Sequence, residues 1–269
     1  SIHGRAPTLA TGLTAARPDL MVWVITGDGD ALSIGGNHFL HTMRRNVDMT
    51  MVMHNNRIYG LTKGQTSPTS EFGKRTKSTP MGSVDRPIMP LTIALAAEAT
   101  FVARTVDNHT EHIQGTLEAG GRHRGASFIE VLQNCNIFND GAWRDFTDRD
   151  VRDERMLFLE HGEPLIFGKN RDKGIRLNGL HPEVVTIGEN GITEADLLVH
   201  DQHAEDPYLA LILSRMFWPD FPVPVGILRE VDRPTHSDLI DEQIQQAKAK
   251  SGEGDLAKVL LAGETWTVT

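Results

Sequence analysis

The sequence predicts an α/β fold, a mostly parallel sheet flanked by helices, on three observations. Residues 20–25, 49–53 and 127–132 are short, almost continuously apolar runs, the pattern of strands covered on both faces. Segments with apolar residues at helical spacing lie between them. The first run ends in Gly27-Asp28-Gly29-Asp30, a turn that puts backbone N–H groups and carboxylates at the carboxyl edge of a sheet, where such folds bind ligands.

In chain order, residues 6–16 place small and apolar side chains at helical spacing and stop before Arg17-Pro18-Asp19, so a short helix is expected. The strand at 20–25 follows. From Ala31 to Arg45, the spacing of Leu32, Ile34, Phe39, Leu40 and Met43 predicts one helix, and 49–53 a second buried strand. Strand, helix, strand implies a right-handed crossover. Residues 55–90 are rich in Gly, Ser, Thr, Pro and Lys and too long for a plain connector, so this loop is expected to be functional or mobile. A helix at 91–99, a strand at 101–104, a helix at 109–122 and the strand at 127–132 complete the alternation, giving a domain over residues 1–140. Beyond it the alternation weakens into charged turns, with apolar runs at 164–167 and 183–187, a helix at 207–217 and a polar terminal helix at 238–250. Residues 141–269 are therefore read as an irregular C-terminal extension packing on the first domain or on a partner subunit.

Lys and Arg number 27 against 36 Asp and Glu, a formal charge of −9 that argues against an electrostatic grip on nucleic acid or anionic lipid. Hydrophobic residues at 39% and charged ones at 23% suit a globular protein. With no run of 18 apolar residues and no signal-like start, a cytoplasmic location is expected. The single cysteine, Cys135, can make no internal disulfide, which fits a reducing compartment.

Asp28 at a strand end can hold a divalent metal, and the flanking glycines let the chain approach a phosphate. The next strand ends in Asn55-Asn56 at the same edge, with 25 residues between Gly29 and Asn55, so an amide oxygen can meet the same ion. The competing reading is a turn chosen for left-handed φ with asparagines that cap a strand. Other motifs fail: Leu32 breaks a Gly-x-Gly-x-x-Gly, and neither a P-loop nor a nucleophile elbow is present. His38 and His41 lack a third ligand, and His200, His203 and Asp206 read as solvated surface.

Gly-Asp-Gly followed at this distance by Asn-Asn resembles the signature of thiamine diphosphate enzymes. Ser1-Ile2-His3-Gly4-Arg5-Ala6, Gly27-Asp28-Gly29-Asp30, Ile34-Gly35-Gly36-Asn37-His38 and the run from Asn55 to Gln65 together resemble the β subunit of 2-oxoacid:ferredoxin oxidoreductases, most of all the 2-oxoglutarate type. The resemblance is specific to about Asp140 and looser beyond. It implies a thiamine diphosphate site made by Gly27, Asp28, Gly29, Asp30, Asn56, Ile58, Tyr59, Gly60 and Leu61. Magnesium would be held by Asp28, Asn56 and the Ile58 carbonyl. Leu61 would bend the cofactor, Thr62 and Lys63 would face substrate carboxylates, and His3 would donate to the cofactor or to an oxyanion.

The same resemblance makes Cys135 the last of four thiolates on a [4Fe–4S] cluster, the other three expected in an upstream segment, in keeping with a start directly inside a motif. It implies an α subunit carrying the pyrimidine-binding domain, hence a heterodimer. It further implies oxidative decarboxylation of a 2-oxoacid to acyl-coenzyme A, with electrons passed to ferredoxin and the reaction able to run in reverse. Three alternatives stay open: pyruvate or broad 2-oxoacid specificity, a non-oxidative decarboxylase or carboligase, and a non-catalytic subunit.

Overall fold

The structure, a computed structural model, describes residues 3–264, 266 and 268; Ser1 and Ile2 of the first motif lie outside the described residues. The first half runs α1 (Ala6–Ala16), β1 (Trp23–Gly27), α2 (Asp28–Leu32), α3 (Gly36–Arg44), β2 (Met49–Asn55), α4 (Pro90–Ala96), β3 (Phe101–Val106), α5 (Thr110–Arg122) and β4 (Ala126–Leu132). The second half adds α6 (Arg144–Thr147), α7 (Arg152–Arg155), β5 (Met156–Phe158), β6 (Ile166–Phe167), β7 (Lys173–Asn178), β8 (His181–Thr186), α8 (Tyr208–Arg215), β9 (Val223–Glu230), α9 (His236–Ser251) and α10 (Leu256–Leu260). Among the described residues, no helix is long and apolar enough to cross a membrane.

Six strands form one sheet in the order β1-β2-β4-β3-β9-β5. β1, β2, β4 and β3 are parallel neighbours, and β9 runs antiparallel beside β3. The mostly parallel sheet flanked by helices is thus present. A separate antiparallel sheet joins β6, β7 and β8.

One face of the main sheet packs on α1, α3, α4 and α8 through Ala10, Phe39, Met43, Leu91, Leu95 and Leu213. The other carries Val52, Ala103, Ile129 and Val131 under Ile113 and Leu117 of α5. Because α5 covers only the middle of the sheet, the edge strand β1 is not covered on both faces as its apolar run predicts. Val24 is buried, but Ile25 is 61% exposed.

The single helix expected from Ala31 to Arg45 is instead split into α2 and α3. A Cβ on Gly35 would stand 2.5 Å from the Asp30 carbonyl oxygen, so the chain passes its own previous turn too closely for a continuous helix. The helices expected at 207–217 and 238–250 are present as α8 and α9, the latter begun by a capping box between Thr235 and Asp238.

Candidate active site

The parallel register brings the ends of β1, β2 and β4 to one edge, where Gly27 pairs with His54 and Asn55 with Leu132. A cleft of about 290 Å³ opens there, lined by His3, by Gly27 to Asp30, and by Asn56, Ile58, Tyr59, Gly60 and Leu61. Every residue expected to bind the cofactor therefore lines one cavity.

Asp28 lies at its floor, 1% exposed. One carboxylate oxygen, Oδ2, accepts hydrogen bonds from the hydroxyls of Ser67 and Thr69, both at 2.5 Å. Burial pushes its pKa up, against the two hydroxyl donors that pull it down. The other oxygen, Oδ1, faces Asn56, whose side-chain oxygen stands 3.2 Å from it and 2.8 Å from the Ile58 carbonyl oxygen. Three oxygens pointing at one another with no hydrogen between them repel. Either the amide turns over to donate to the other two, or a cation sits among them.

Adjacent oxygens around an octahedral magnesium with bonds of roughly 2.0–2.1 Å lie about 2.9 Å apart, and the observed spacings bracket that value. The donor set fits the ion: one carboxylate, one amide and one carbonyl, leaving positions for phosphate oxygens and water. Among the described residues no cluster of three or more His, Cys, Asp or Glu side chains offers a competing metal cage.

Gly29 has a steric role. A Cβ there would meet the Tyr59 ring at 2.6 Å, so the ring lies flush against the backbone of the Gly-Asp-Gly turn. The His3 ring then ties two walls together, with Nδ1 2.5 Å from Asp30 Oδ1 and Nε2 2.5 Å from the Tyr59 hydroxyl. Asp30 also accepts from the Gly4 N–H and the Thr26 hydroxyl, which makes it the anchor of the N-terminal segment as well as a lining residue. α2 has five residues and adds only a short dipole behind the turn.

Residues 59–65 form a tight turn, closed by Tyr59 N–H to the Gln65 carbonyl (2.7 Å) and Gly64 N–H to the Tyr59 carbonyl (3.1 Å). Leu61, 71% exposed, sits on the cleft's lip, while Thr62 and Lys63 occupy the exposed tip outside the lining. Cys135 opens a turn that Asn139 closes by backbone N–H to the Cys135 carbonyl (2.9 Å), and the Asn139 amide donates to the Asn56 carbonyl (2.8 Å). The turn that carries the single cysteine is thereby tied to the Asn56 backbone.

Ser67 and Thr69 were not legible as site residues. Only the polar composition of the loop hinted at them. His200 is not solvated surface: it is 1% exposed, its backbone pairing with Gly162 and Glu163 while its Nε2 lies 2.8 Å from the Ile227 carbonyl of β9. His38 and His41 fall on α3 without a shared ligand, His41 lying 3.3 Å from Arg44.

Comparison with known proteins gives concordant matches. Residues 1–131 match the family described as thiamine pyrophosphate enzyme, C-terminal TPP binding domain. The whole chain is 49% identical to the 2-oxoglutarate oxidoreductase subunit KorB of Mycobacterium tuberculosis and spans 72% of it. It is 43% identical over 151 residues to the 2-oxoacid:ferredoxin oxidoreductase subunit beta of Saccharolobus solfataricus, a match covering 56% of this chain and half of that one. Among solved structures it is similar to the 2-oxoglutarate:ferredoxin oxidoreductase from Magnetococcus marinus with 2-oxoglutarate, coenzyme A and succinyl-CoA bound. That match has a TM-score of 0.71 and 31% identity, and covers 98% of this chain and 74% of that one.

Proposed function

Because the chain belongs to the family of 2-oxoacid:ferredoxin oxidoreductase β subunits, we propose that it holds thiamine diphosphate through magnesium and serves the oxidative decarboxylation of 2-oxoglutarate to its coenzyme A thioester. The observation that carries this reading is the meeting of the Asp28, Asn56 and Ile58 oxygens inside a cleft walled by the Gly-Asp-Gly-Asp turn.

Thiamine diphosphate, when bound, supplies the electron sink that lets a 2-oxoacid lose carbon dioxide. The chain's own residues do the rest. Ser67 and Thr69 orient Asp28 so that Oδ1 points at the cation. Gly29 lets the Tyr59 ring lie against the Gly-Asp-Gly turn, and His3 holds the Tyr59 hydroxyl, so that together they form one wall of the cleft. Leu61 on the lip supports the bend of the cofactor, and Thr62 and Lys63 meet the carboxylates of the incoming 2-oxoacid. His3, held between Asp30 and the Tyr59 hydroxyl, sets its ring at the cleft mouth.

Cys135 is assigned as one thiolate ligand of a [4Fe–4S] cluster. A cluster of this kind takes four. The remaining three would come from outside these 269 residues. The pyrimidine-binding half of the site is assigned to an α subunit, the electrons to ferredoxin and the acyl group to coenzyme A, in the cytoplasm. The relative named as a 2-oxoglutarate oxidoreductase subunit and the structure described with 2-oxoglutarate support this substrate.

Dye reduction by the assembled complex, with coenzyme A and a viologen, tests the reading. 2-Oxoglutarate is expected to outpace pyruvate, and the reverse order would move the substrate assignment. Metal analysis showing no iron in the active complex would favour the non-oxidative decarboxylase instead.

A further inference from the structure

Asn56 and Ile58 can aim at one point only because the chain turns sharply at the residue between them. Arg57 stands at φ 55°, a left-handed conformation unfavourable for a residue with a Cβ. Its surroundings hold it there. The Ser70 hydroxyl donates to its carbonyl at 2.7 Å, and its guanidinium lies 3.1 Å from Glu71 Oε1. The other side of the guanidinium is stacked on the indole of Trp143, 3.8 Å from the ring centroid.

Trp143 also grips the residue before the turn. Its indole N–H donates to the Asn55 carbonyl at 2.8 Å, so one side chain holds the backbone on one side of Asn56 and the side chain on the other. The indole is 4% exposed and sits in an aromatic cluster with Phe146 and Phe217, at centroid distances of 5.9 and 5.8 Å. It lies beyond residue 131, where the match to the thiamine pyrophosphate domain ends.

We propose that Arg57 is a positioning residue: clamped between Trp143 and Glu71, it holds the left-handed turn that brings the Asn56 and Ile58 oxygens onto the cation, and it thereby couples the Trp143 indole to cation occupancy. The proposal rests on the reading of this corner as a magnesium site. Groups that orient a metal ligand without touching the metal act through the ligand's geometry, and their loss weakens the metal more than the fold.

The test is calorimetric titration of the assembled complex with magnesium in the presence of thiamine diphosphate. Arg57→Gly accepts the left-handed φ but loses the clamp, and it is expected to raise the magnesium Kd by about tenfold or more. Trp143→Leu is expected to do the same. Arg57→Lys keeps a charge for Glu71 but lacks a flat guanidinium for the indole, and should fall between wild type and Arg57→Gly. Asp28→Ala, the control, removes the ion's carboxylate and should abolish the titration.

Tryptophan fluorescence supplies a second readout. A magnesium-dependent change in the wild type should vanish in Trp143→Phe. If Trp143→Leu fails to fold, the two Arg57 variants carry the test. Loss of binding in Asp28→Ala with wild-type affinity in Arg57→Gly would overturn the positioning role and leave the magnesium site standing. Wild-type affinity in Asp28→Ala would remove the site itself, and this proposal with it.

Discussion

Asp28 is a buried carboxylate whose Oδ2 accepts from the Ser67 and Thr69 hydroxyls while Oδ1 faces the Asn56 amide. A buried charge is costly unless paired, and burial raises this group's pKa, so the proposed magnesium on Oδ1 would complete what Ser67 and Thr69 begin. Replacing Asp28 by Ala removes a desolvation cost together with two hydrogen bonds. The melting temperature without ligands should therefore stay near wild type. What should disappear is the stabilisation by magnesium and thiamine diphosphate, which for a wild type at 100 times Kd amounts to about 2.7 kcal/mol. Thermal shift with and without the ligands checks both halves of this outcome. At Cys135 the expected result is different in kind: Cys135→Ser in the full complex should cut electron flow to a dye acceptor while cofactor binding persists. A normal cluster signal in electron paramagnetic resonance together with normal dye reduction would reduce Cys135 to a packing residue.

At the scale of elements, β2, β4 and β3 support the site from behind. Glu130 of β4 and Arg104 of β3 are cross-strand partners, each 1% exposed, joined by Arg104 Nε at 2.7 Å from Glu130 Oε2. The other oxygen of Glu130 accepts from the Asn55 amide at 2.7 Å, which steadies the strand end leading to Asn56. Breaking such a pair leaves an uncompensated buried charge. Arg104→Met should cost about 3–5 kcal/mol in chemical denaturation, and adding Glu130→Gln should return part of it.

α5 offers a pH test. His112 in its first turn lies 2.8 Å from the Thr105 hydroxyl and packs on Phe158. Burial, and then the nearby His109, lowers its pKa from 6.5 to about 4. The unfolded chain binds a proton in that interval and the folded chain does not, so the contribution to stability is full above pH 6.5 and is lost as pH falls toward 4. Allowing for partial exposure, the loss should be about 1–2 kcal/mol. The difference between wild type and His112→Gln across this range measures it, and parallel stability curves would contradict it.

The molecule as a whole is finished on one side and open on another. α1, α3, α4 and α8 cover one face of the sheet, whereas β1 leaves Ile25 exposed on the other. Leu61 on the lip of the cleft is also exposed, as are Ile137 and Phe138 of the Cys135 turn, the latter beside Gly64. Exposed apolar side chains of this kind are expected where the proposed α subunit would dock. The chain alone should therefore show no turnover. Adding the α subunit should restore turnover and slow hydrogen exchange in residues 59–65 and 135–139. Turnover by the purified single chain, or unchanged exchange in both loops, would contradict this arrangement.

By itself, the sequence determined the alternation of strands and helices to residue 132 and the residues of the cleft. Both are local: a buried strand declares itself by a continuous apolar run, and a strand-end Gly-Asp-Gly or Asn-Asn by its place at the end of that run. Only the tertiary structure decided what lies behind them. Glu130 and Arg104 meet through strand register, Ser67 and Thr69 reach Asp28 from a loop some 40 residues later, and Trp143 reaches Arg57 from beyond the last strand of the first half. It also decided that β9, nearly a hundred residues after β4, would join the sheet beside β3, and that β1 would be an edge. These pairings are set by which surfaces remain to be buried once the local elements have formed, a property of the packed whole that no window of residues contains.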